Sequence, residues 1–192
     1  MLSPTTELDA INTMLSSIGE APVNTVEDNG VVDAVMARQI LTTVSREVQA
    51  RGWHFNTEKD YTLTPTFPEG EVRLPKTLLR IDTVKTHSDI DVVQRGNRLY
   101  DRRNHTYKFD KALKVDMVIM LPFDEMPEVA RQFITIRSAR IFQERVVGSG
   151  ELSQFSLKDE MRALVALREF EADTADYNIL TDSYSVARVL ER

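Results

Sequence analysis

The stretch that decides the fold is Gln49-Ala50-Arg51-Gly52-Trp53-His54-Phe55-Asn56. It follows a run of apolar residues at helical spacing, and after it the spacing changes to that of strands. Gly52 is placed to end the helix, and Trp53 and Phe55, two residues apart, open the first strand. None of these residue types carries chemistry in this arrangement. The stretch therefore predicts a structural passage from helix to sheet.

Apolar residues recur at helical spacing on both sides of this stretch. The periodicity predicts four helices, over about 5–18, 31–51, 127–147 and 151–176. In the last of these, the residues predicted to point inward are Leu157, Met161, Leu164, Val165 and Ala172. Each pair of helices has an apolar stripe to bury, so we expect both pairs to pack into one antiparallel helical bundle.

The region between the two helix pairs has the pattern of strands. Residues 79–84 alternate with period two, 92–100 form a hairpin pattern with Gly96-Asn97 at its turn, and 115–121 are a short apolar run. The predicted fold class is α+β: a helical bundle domain of residues 1–52 and 123–176, with a small antiparallel β module of 53–122 inserted. Residues 177–192 are predicted to form a C-terminal arm, because they have no obvious core to join.

Composition excludes several kinds of site. The chain has 192 residues and no cysteine, so disulfides, zinc–thiolate sites and thiol nucleophiles are ruled out. The first residues lack a basic region and an apolar run, and we expect no signal peptide. No segment approaches the roughly 20 apolar residues that cross a bilayer, so no membrane insertion is predicted.

The net charge of −6 is unevenly distributed. Residues 1–60 hold 4 Lys/Arg against 9 Asp/Glu, residues 61–122 hold 11 against 8, and residues 123–192 hold 9 against 13. An acidic chain is poorly suited to tight, salt-dependent wrapping of DNA. It could line a conduit along which DNA slides, although an ordinary solvated surface is the favoured explanation of the charges.

No motif demands catalysis. The histidines His54, His87 and His105 show no metal-binding spacing, and phosphate loops and nucleophile elbows are absent, so no cofactor and no metal are predicted. Carboxylates do lie close in sequence, in the groups Glu69 and Glu71; Asp89 and Asp91; Asp124, Glu125 and Glu128; Asp159 and Glu160. Such pairs permit glycoside hydrolysis without requiring it. Macrodipole stabilisation explains the acids at the helix start better.

One basic and aromatic cluster is a candidate interaction surface. Arginines that alternate with tyrosines on a hairpin can bind nucleic acid or polysaccharide, and they are also enriched at protein interfaces. The acidic net charge favours the interface. With the apolar residues of the C-terminal arm, the predicted partner-binding residues are Arg95, Arg98, Tyr100, Arg102, Arg103, Tyr184, Val186, Val189 and Leu190.

Several segments together form a family signature. They run in order over nearly the whole chain: residues 10–12 and 17–23, 37–41, 49–56, 95–97, 100–102, 109–110, 124–128 and 176–178. In these segments the chain resembles the tail tubular protein A family, the head-to-tail adaptors of short-tailed, podovirus-type bacteriophages. Little matches between about 62 and 92.

The resemblance implies a structural protein of the virion tail, made in the host cytoplasm and placed at the head–tail junction. It implies a dodecameric ring that joins the portal protein to the tail nozzle protein, tail tubular protein B, and through which double-stranded DNA passes on ejection. No catalytic residue is then needed. The alternative that stays open is a tail protein with additional glycoside hydrolase activity on bacterial surface polysaccharide.

Overall fold

The computed structural model describes residues 4–27, 31–84, 90–148 and 150–174, with the side chains of 150–156 left out. Four helices overlap the four predicted ranges: α1 (Glu7–Ser16), α2 (Val32–Gln49), α3 (Glu128–Val146) and α4 (Gly150–Thr174). The strands between α2 and α3 are β1 (Thr57–Leu63), β2 (Leu78–Thr83), β3 (Val92–Arg95), β4 (Arg98–Asp101) and β5 (Leu113–Ile119). Short 3-10 turns precede β1 at His54–Asn56 and α3 at Phe123–Glu125.

The strands form two antiparallel sheets. In the larger sheet the order is β1-β5-β2, so β5, which the apolar run at 115–121 predicted, lies at the centre. Strand β1 pairs with it from Thr57↔Val118 to Leu63↔Leu113, with an irregularity between Glu58 and Tyr61. Strands β3 and β4 form a separate hairpin whose turn contains Gly96, as the sequence predicted.

Two hydrophobic clusters stabilise the chain. The first joins the helices and includes Ile11, Leu15, Leu41, Val44, Trp53, Phe133, Ile134, Phe142 and Leu167. The second lies in the strand region between α2 and α3, on the strands and the loops that join them, and includes Leu63, Val72, Leu99, Phe109, Leu113 and Val115. The predicted division into residues 1–52 with 123–176, residues 53–122 and residues 177–192 stays a prediction.

The predicted fold class, an antiparallel helical bundle with a small β insertion, is wrong. The described residues form a mixed α+β structure of four helices and five strands. Helix α3 packs against α1, α2 and α4, whereas the main helical contact of α4 is with α3. A bundle would need α4 to close against a second helix as well. The strand region buries a second core of its own, separate from the one between the helices, so the structure is not a bundle with a minor insertion.

The inward face predicted for α4 is also wrong in most of its positions. Leu157, Met161 and Val165 are 48%, 60% and 51% exposed. The edge that packs on the rest of the molecule instead carries Leu164 and Leu167. Glu160, also on this edge, is only 8% exposed and forms ion pairs with Arg137 and Arg140. The packed edge of α4 thus carries a buried charged residue beside its leucines, whereas the apolar stripe faces outward.

The end of α2 is joined to the sheet through the fully buried side chain of Gln49. Its amide nitrogen donates to Ser45 Oγ at 3.0 Å and to the Leu121 carbonyl at 3.1 Å. Its Oε1 accepts the Leu121 N–H at 2.7 Å. One glutamine therefore pairs with both backbone groups of Leu121, where the chain leaves β5 for α3, and all its own polar groups are satisfied.

Asn56 completes this junction from the start of β1, and it is 1% exposed. Its Oδ1 accepts the Trp53 N–H at 2.8 Å, and its amide nitrogen donates to the carbonyls of Gln49 at 3.0 Å and Ile119 at 2.9 Å. The Trp53 indole donates to the Val48 carbonyl at 2.8 Å. The backbone groups freed at the end of α2 thus find buried partners.

Gly52 allows the backbone to turn in close contact with the sheet. Its φ is +78°, and a Cβ there would lie 2.7 Å from Arg80 Nη2 and 2.9 Å from Val118 Cγ2 on the central strand. Gly19, which ends the chain's first helical segment, has a similar φ of +84° but nothing within 4 Å of a Cβ. Glycine is needed at position 52 for both conformation and space, and at position 19 for conformation alone.

We expect Gln49→Ala to lower the free energy of unfolding by about 2–4 kcal/mol, because it leaves the Leu121 N–H buried without a partner and opens a cavity. Gln39→Ala is the matched control, since Gln39 is exposed on the same helix; its expected effect is within about 0.5 kcal/mol. Urea denaturation measures both. Equal losses from the two variants would contradict a special role for Gln49.

We expect Gly52→Ala to lower the free energy of unfolding by about 2–3 kcal/mol and Gly19→Ala by about 1 kcal/mol. Both substitutions place a side chain at a residue with a positive φ, which strains the backbone. Only Gly52→Ala also forces Val118 and Arg80 to move. Thermal and urea unfolding of the pair isolate the cost of the close approach. A Gly52→Ala variant no less stable than Gly19→Ala would show that this approach is unimportant.

Candidate functional site

The predicted arginine–tyrosine cluster is assembled on the β3–β4 hairpin. The Arg95 guanidinium lies 3.6 Å from the centre of the Tyr100 ring, and that of Arg98 lies 4.3 Å from the centre of the Tyr107 ring. The two rings meet edge to face with centroids 4.8 Å apart. Alternation along the hairpin places these groups on one surface, where the arginines stack on the tyrosines of their own chain.

Ion pairs engage two of the predicted arginines as well. Arg98 Nη1 lies 2.7 Å from Glu71 Oε1, and Arg102 Nη1 lies 3.6 Å from Asp91 Oδ2. Arg102 and Arg103 are exposed, so they remain accessible to a partner. The other predicted contact residues, Tyr184, Val186, Val189 and Leu190, lie outside the described residues.

Asp101, next to this surface, was given no role by the sequence. Its carboxylate is 3% exposed and accepts the N–H groups of Arg103 at 2.8 Å and Asn104 at 3.0 Å, and the Asn104 amide at 2.8 Å. Burial alone would raise the pKa of Asp101, but these hydrogen bonds and the nearby Arg103 charge outweigh it and lower the pKa below its ordinary value. Asp101 therefore shapes the loop that carries Arg102 and Arg103. The signal in the sequence for such a turn is an aspartate with exposed polar residues two and three positions after it.

The carboxylates considered for hydrolysis are spread over the surface. Glu71 and Asp91 form the ion pairs just described, and Asp89 lies outside the described residues. Glu128 accepts hydrogen bonds from Thr5 N and Thr5 Oγ1 at 2.8 and 2.7 Å. Burial alone would raise the pKa of Glu128, but those bonds, with Gln132 and Arg131, lower it. Glu69, Asp124 and Glu125 are exposed. These contacts give the engaged carboxylates structural roles.

Ion pairs fix the orientation of α4 on α3. Arg140 Nε donates to Glu160 Oε2, Arg137 Nη1 lies 3.4 Å from Glu160 Oε1, and Arg140 Nη1 lies 2.8 Å from Glu144 Oε1. Burial alone would lower the pKa of Arg140, but these two carboxylates outweigh it and raise the pKa. Farther along α4, the Glu171 carboxylate accepts the His54 N–H at 2.9 Å. Helix α4 is thus anchored at both its middle and its end.

Large apolar side chains are exposed at several places. Besides the α4 residues, Val31, Val32 and Val35 at the start of α2 are 41%, 73% and 37% exposed, and Phe67 is 97% exposed. Scattered apolar residues at a surface are ordinary, but rows of them along one helix face indicate contact with another protein.

Comparison with known proteins identifies the type of chain that has these surfaces. The family model described as tail tubular protein matches residues 8–177, which is most of the sequence. The chain belongs to the tail tubular protein family. Tail tubular protein A of Klebsiella phage KP34 is 27% identical over 164 residues, covering 85% of this chain and 86% of that protein.

Membership of the tail tubular protein family makes the chain a structural component of a phage tail. Within the described ranges no three His, Asp or Glu residues are grouped so as to hold a metal ion. No helix in that part of this tail tubular protein is long and apolar enough to cross a membrane.

We expect Asp101→Asn to destabilise the protein at pH 7 by about 1–2 kcal/mol, because asparagine presents an amide donor where three donors converge. A carboxyl with a lowered folded pKa contributes stability above its unfolded pKa of about 4, and this stability is lost as the pH falls through the folded pKa. The difference in free energy of unfolding between the variant and the parent should therefore become smaller below about pH 4. Urea unfolding between pH 7 and pH 2.5 measures it, with the exposed Asp110→Asn as control. A difference in free energy of unfolding that stays constant across this pH range would refute the stabilising role given to the ionised Asp101 carboxylate.

Proposed function

We propose that this tail protein is a ring-forming head-to-tail adaptor, which joins the portal to the tail nozzle and lines the channel for DNA ejection. In this proposal its partners are its own copies in a dodecameric ring, the portal protein and the nozzle protein, tail tubular protein B. Double-stranded DNA passes through the ring transiently.

The observation that carries the proposal is the family match over residues 8–177. The relative from phage KP34 is named tail tubular protein A, and the match to it extends over most of both chains. The segments by which the sequence resembles this family include the helix-to-sheet stretch of residues 49–56, which builds the buried junction of the fold.

Surface properties support the same role. A subunit between two other protein rings needs several contact surfaces, and exposed apolar residues lie on α2, on α4 and at Phe67. The net charge of −6 suits a lumen past which DNA must slide without sticking.

We assign two partner contacts within this proposal. The C-terminal arm, with Tyr184, Val186, Val189 and Leu190, orders on the portal, as segments that fold on binding do. The hairpin surface, with Arg95, Arg98, Tyr100, Arg102 and Arg103, contacts a neighbouring subunit or the nozzle. Arg95, Arg102 and Arg103 are exposed, so this surface presents several arginines to solvent, although Arg95 also lies over Tyr100 and Arg102 is paired with Asp91.

The test is the mass of the protein alone and mixed with its portal ring, by multi-angle light scattering. We expect the portal peak to gain several copies of the 21.9 kDa chain. An unchanged portal peak at micromolar concentrations of both proteins would contradict the adaptor role.

Serine substitutions at Tyr184, Val186, Val189 and Leu190 should weaken portal binding about tenfold or more, because apolar anchors carry most of the energy of an interface. The paired control is Asp182→Asn with Glu191→Gln, which changes the same segment without removing apolar groups. Titration of the portal ring with each labelled variant measures the affinities. Equal affinities for both would show that the arm does not supply the portal contact.

A further inference from the structure

The exposed apolar stripe of α4 calls for a partner. Leu157, Met161 and Val165 follow one another at four-residue intervals, so they lie on one face of the helix, and each is about half exposed. Their side chains form a continuous row rather than isolated apolar positions. A row of this kind along a stable helix is typical of a surface that another protein covers.

The contacts of α4 keep this stripe facing outward. Glu160 is held by Arg137 and Arg140, Leu167 is fully buried, and Glu171 is bonded to the His54 N–H. Turning the stripe inward would break the buried ion pairs and leave charged groups without partners. The chain therefore presents the stripe as a preformed surface.

A groove of matching character lies between α1 and α2. Its apolar walls are Ile11, Val26, Ala34 and Val35, and its volume is about 270 Å³. Val31 and Val32, about one helical turn before Val35, extend the exposed apolar surface at one end of α2. None of the α4 residues whose side chains are described, 157–174, lines this groove, so the groove and the stripe are separate surfaces of one subunit.

The charges around the two surfaces are complementary. The described part of residues 4–39 contains five carboxylates, those of Glu7, Asp9, Glu20, Glu27 and Asp33, and a single arginine. That arginine, Arg38, is itself paired with Glu7 at 3.2 Å. On α4, the helical spacing from Val165 places Lys158, Arg168 and Glu169 around the stripe, which leaves a small excess of positive charge. Among the groove's own lining residues Glu27 and Arg38 are charged, and Arg38 is paired with Glu7, so the groove and its surroundings keep an excess of negative charge.

We propose that the α4 stripe of one subunit docks into the α1–α2 groove of the next copy of this chain. This inference rests on the proposed ring-forming function and names the surfaces that build the ring. Because the two surfaces differ, the contact is heterologous and propagates from copy to copy, as a closed ring requires. A second copy is the occupant that fits, since each subunit carries both halves of the complementary pair.

The absence of cysteine allows a direct test by crosslinking. Met161→Cys and Val35→Cys would be made as two single variants and one double variant, and treated with a short bis-maleimide in the presence of the portal ring. A mixture of the two single variants should give covalent dimers, and the double variant should give a ladder of higher multimers. Neither single variant alone should crosslink to itself. Met161→Cys mixed with Lys76→Cys, an exposed site on the β region, is the control, with about tenfold less product expected.

Other outcomes overturn the inference in distinguishable ways. If several copies bind the portal but Met161→Cys and Val35→Cys give no crosslinked dimer, the contact between stripe and groove is rejected. The adaptor role then stays intact. Self-crosslinking of Met161→Cys would show a two-fold contact instead. Protection of the Met161→Cys thiol in the monomer, lost on removal of residues 175–192, would assign the stripe to the chain's own C-terminal segment. If the cysteine-free protein fails to join the portal, the proposed function itself is rejected, and the ring contact with it.

Discussion

The side-chain amides of Gln49 and Asn56 join the helices to the sheet, and the positions of the other elements depend on them. Both side chains are almost completely buried, and they form hydrogen bonds with backbone groups and with Ser45. A carboxamide combines two N–H donors and an acceptor oxygen without charge, so it can satisfy the backbone groups at the end of a helix and beside two strands inside a core. The cost of leaving any of these groups unpaired keeps the junction in a single arrangement. That arrangement sets where β1 begins, where β5 ends and where the chain turns towards α3.

Sequence alone predicted the elements better than their arrangement. Helical periodicity located the four helices, and Gly96-Asn97 located the hairpin turn, because these signals are local. The role of α4 was mistaken because its packing edge carries Glu160 and Glu171 beside Leu164 and Leu167. In the fold, Glu160 is satisfied by ion pairs with Arg137 and Arg140, and Glu171 accepts the His54 N–H, yet helical periodicity treats both acids as solvent-facing. By the same periodicity Leu157, Met161 and Val165 look like a core face, but they are exposed. The bundle was inferred from an apolar stripe on each helix pair, and on α4 that stripe faces outward.

The candidate surface was predicted in part. The sequence predicted a basic and aromatic cluster with Arg95, Arg98 and Tyr100, and the fold brings these side chains together with Tyr107. Their binding of a partner stays a prediction. The register of β3 against β4 decides which arginine lies over which ring. Residue types alone do not specify that register. The loop built on Asp101 depends on hydrogen bonds from backbone groups that only the folded chain brings together. In a tail structural protein this geometry matters, because the ring contacts and ion pairs fix how the exposed arginines are presented to a partner.

Native-state hydrogen exchange tests the role of the buried junction most directly. The Leu121 N–H is bonded to Gln49 and the Trp53 N–H to Asn56, although neither residue lies in a strand or an α-helix. If the junction holds the fold together, both amides should exchange only through global unfolding, with protection equal to that of the central strand β5. Rapid exchange of both amides while β5 stays protected would show that the junction opens by itself, and would contradict its central place in the structure.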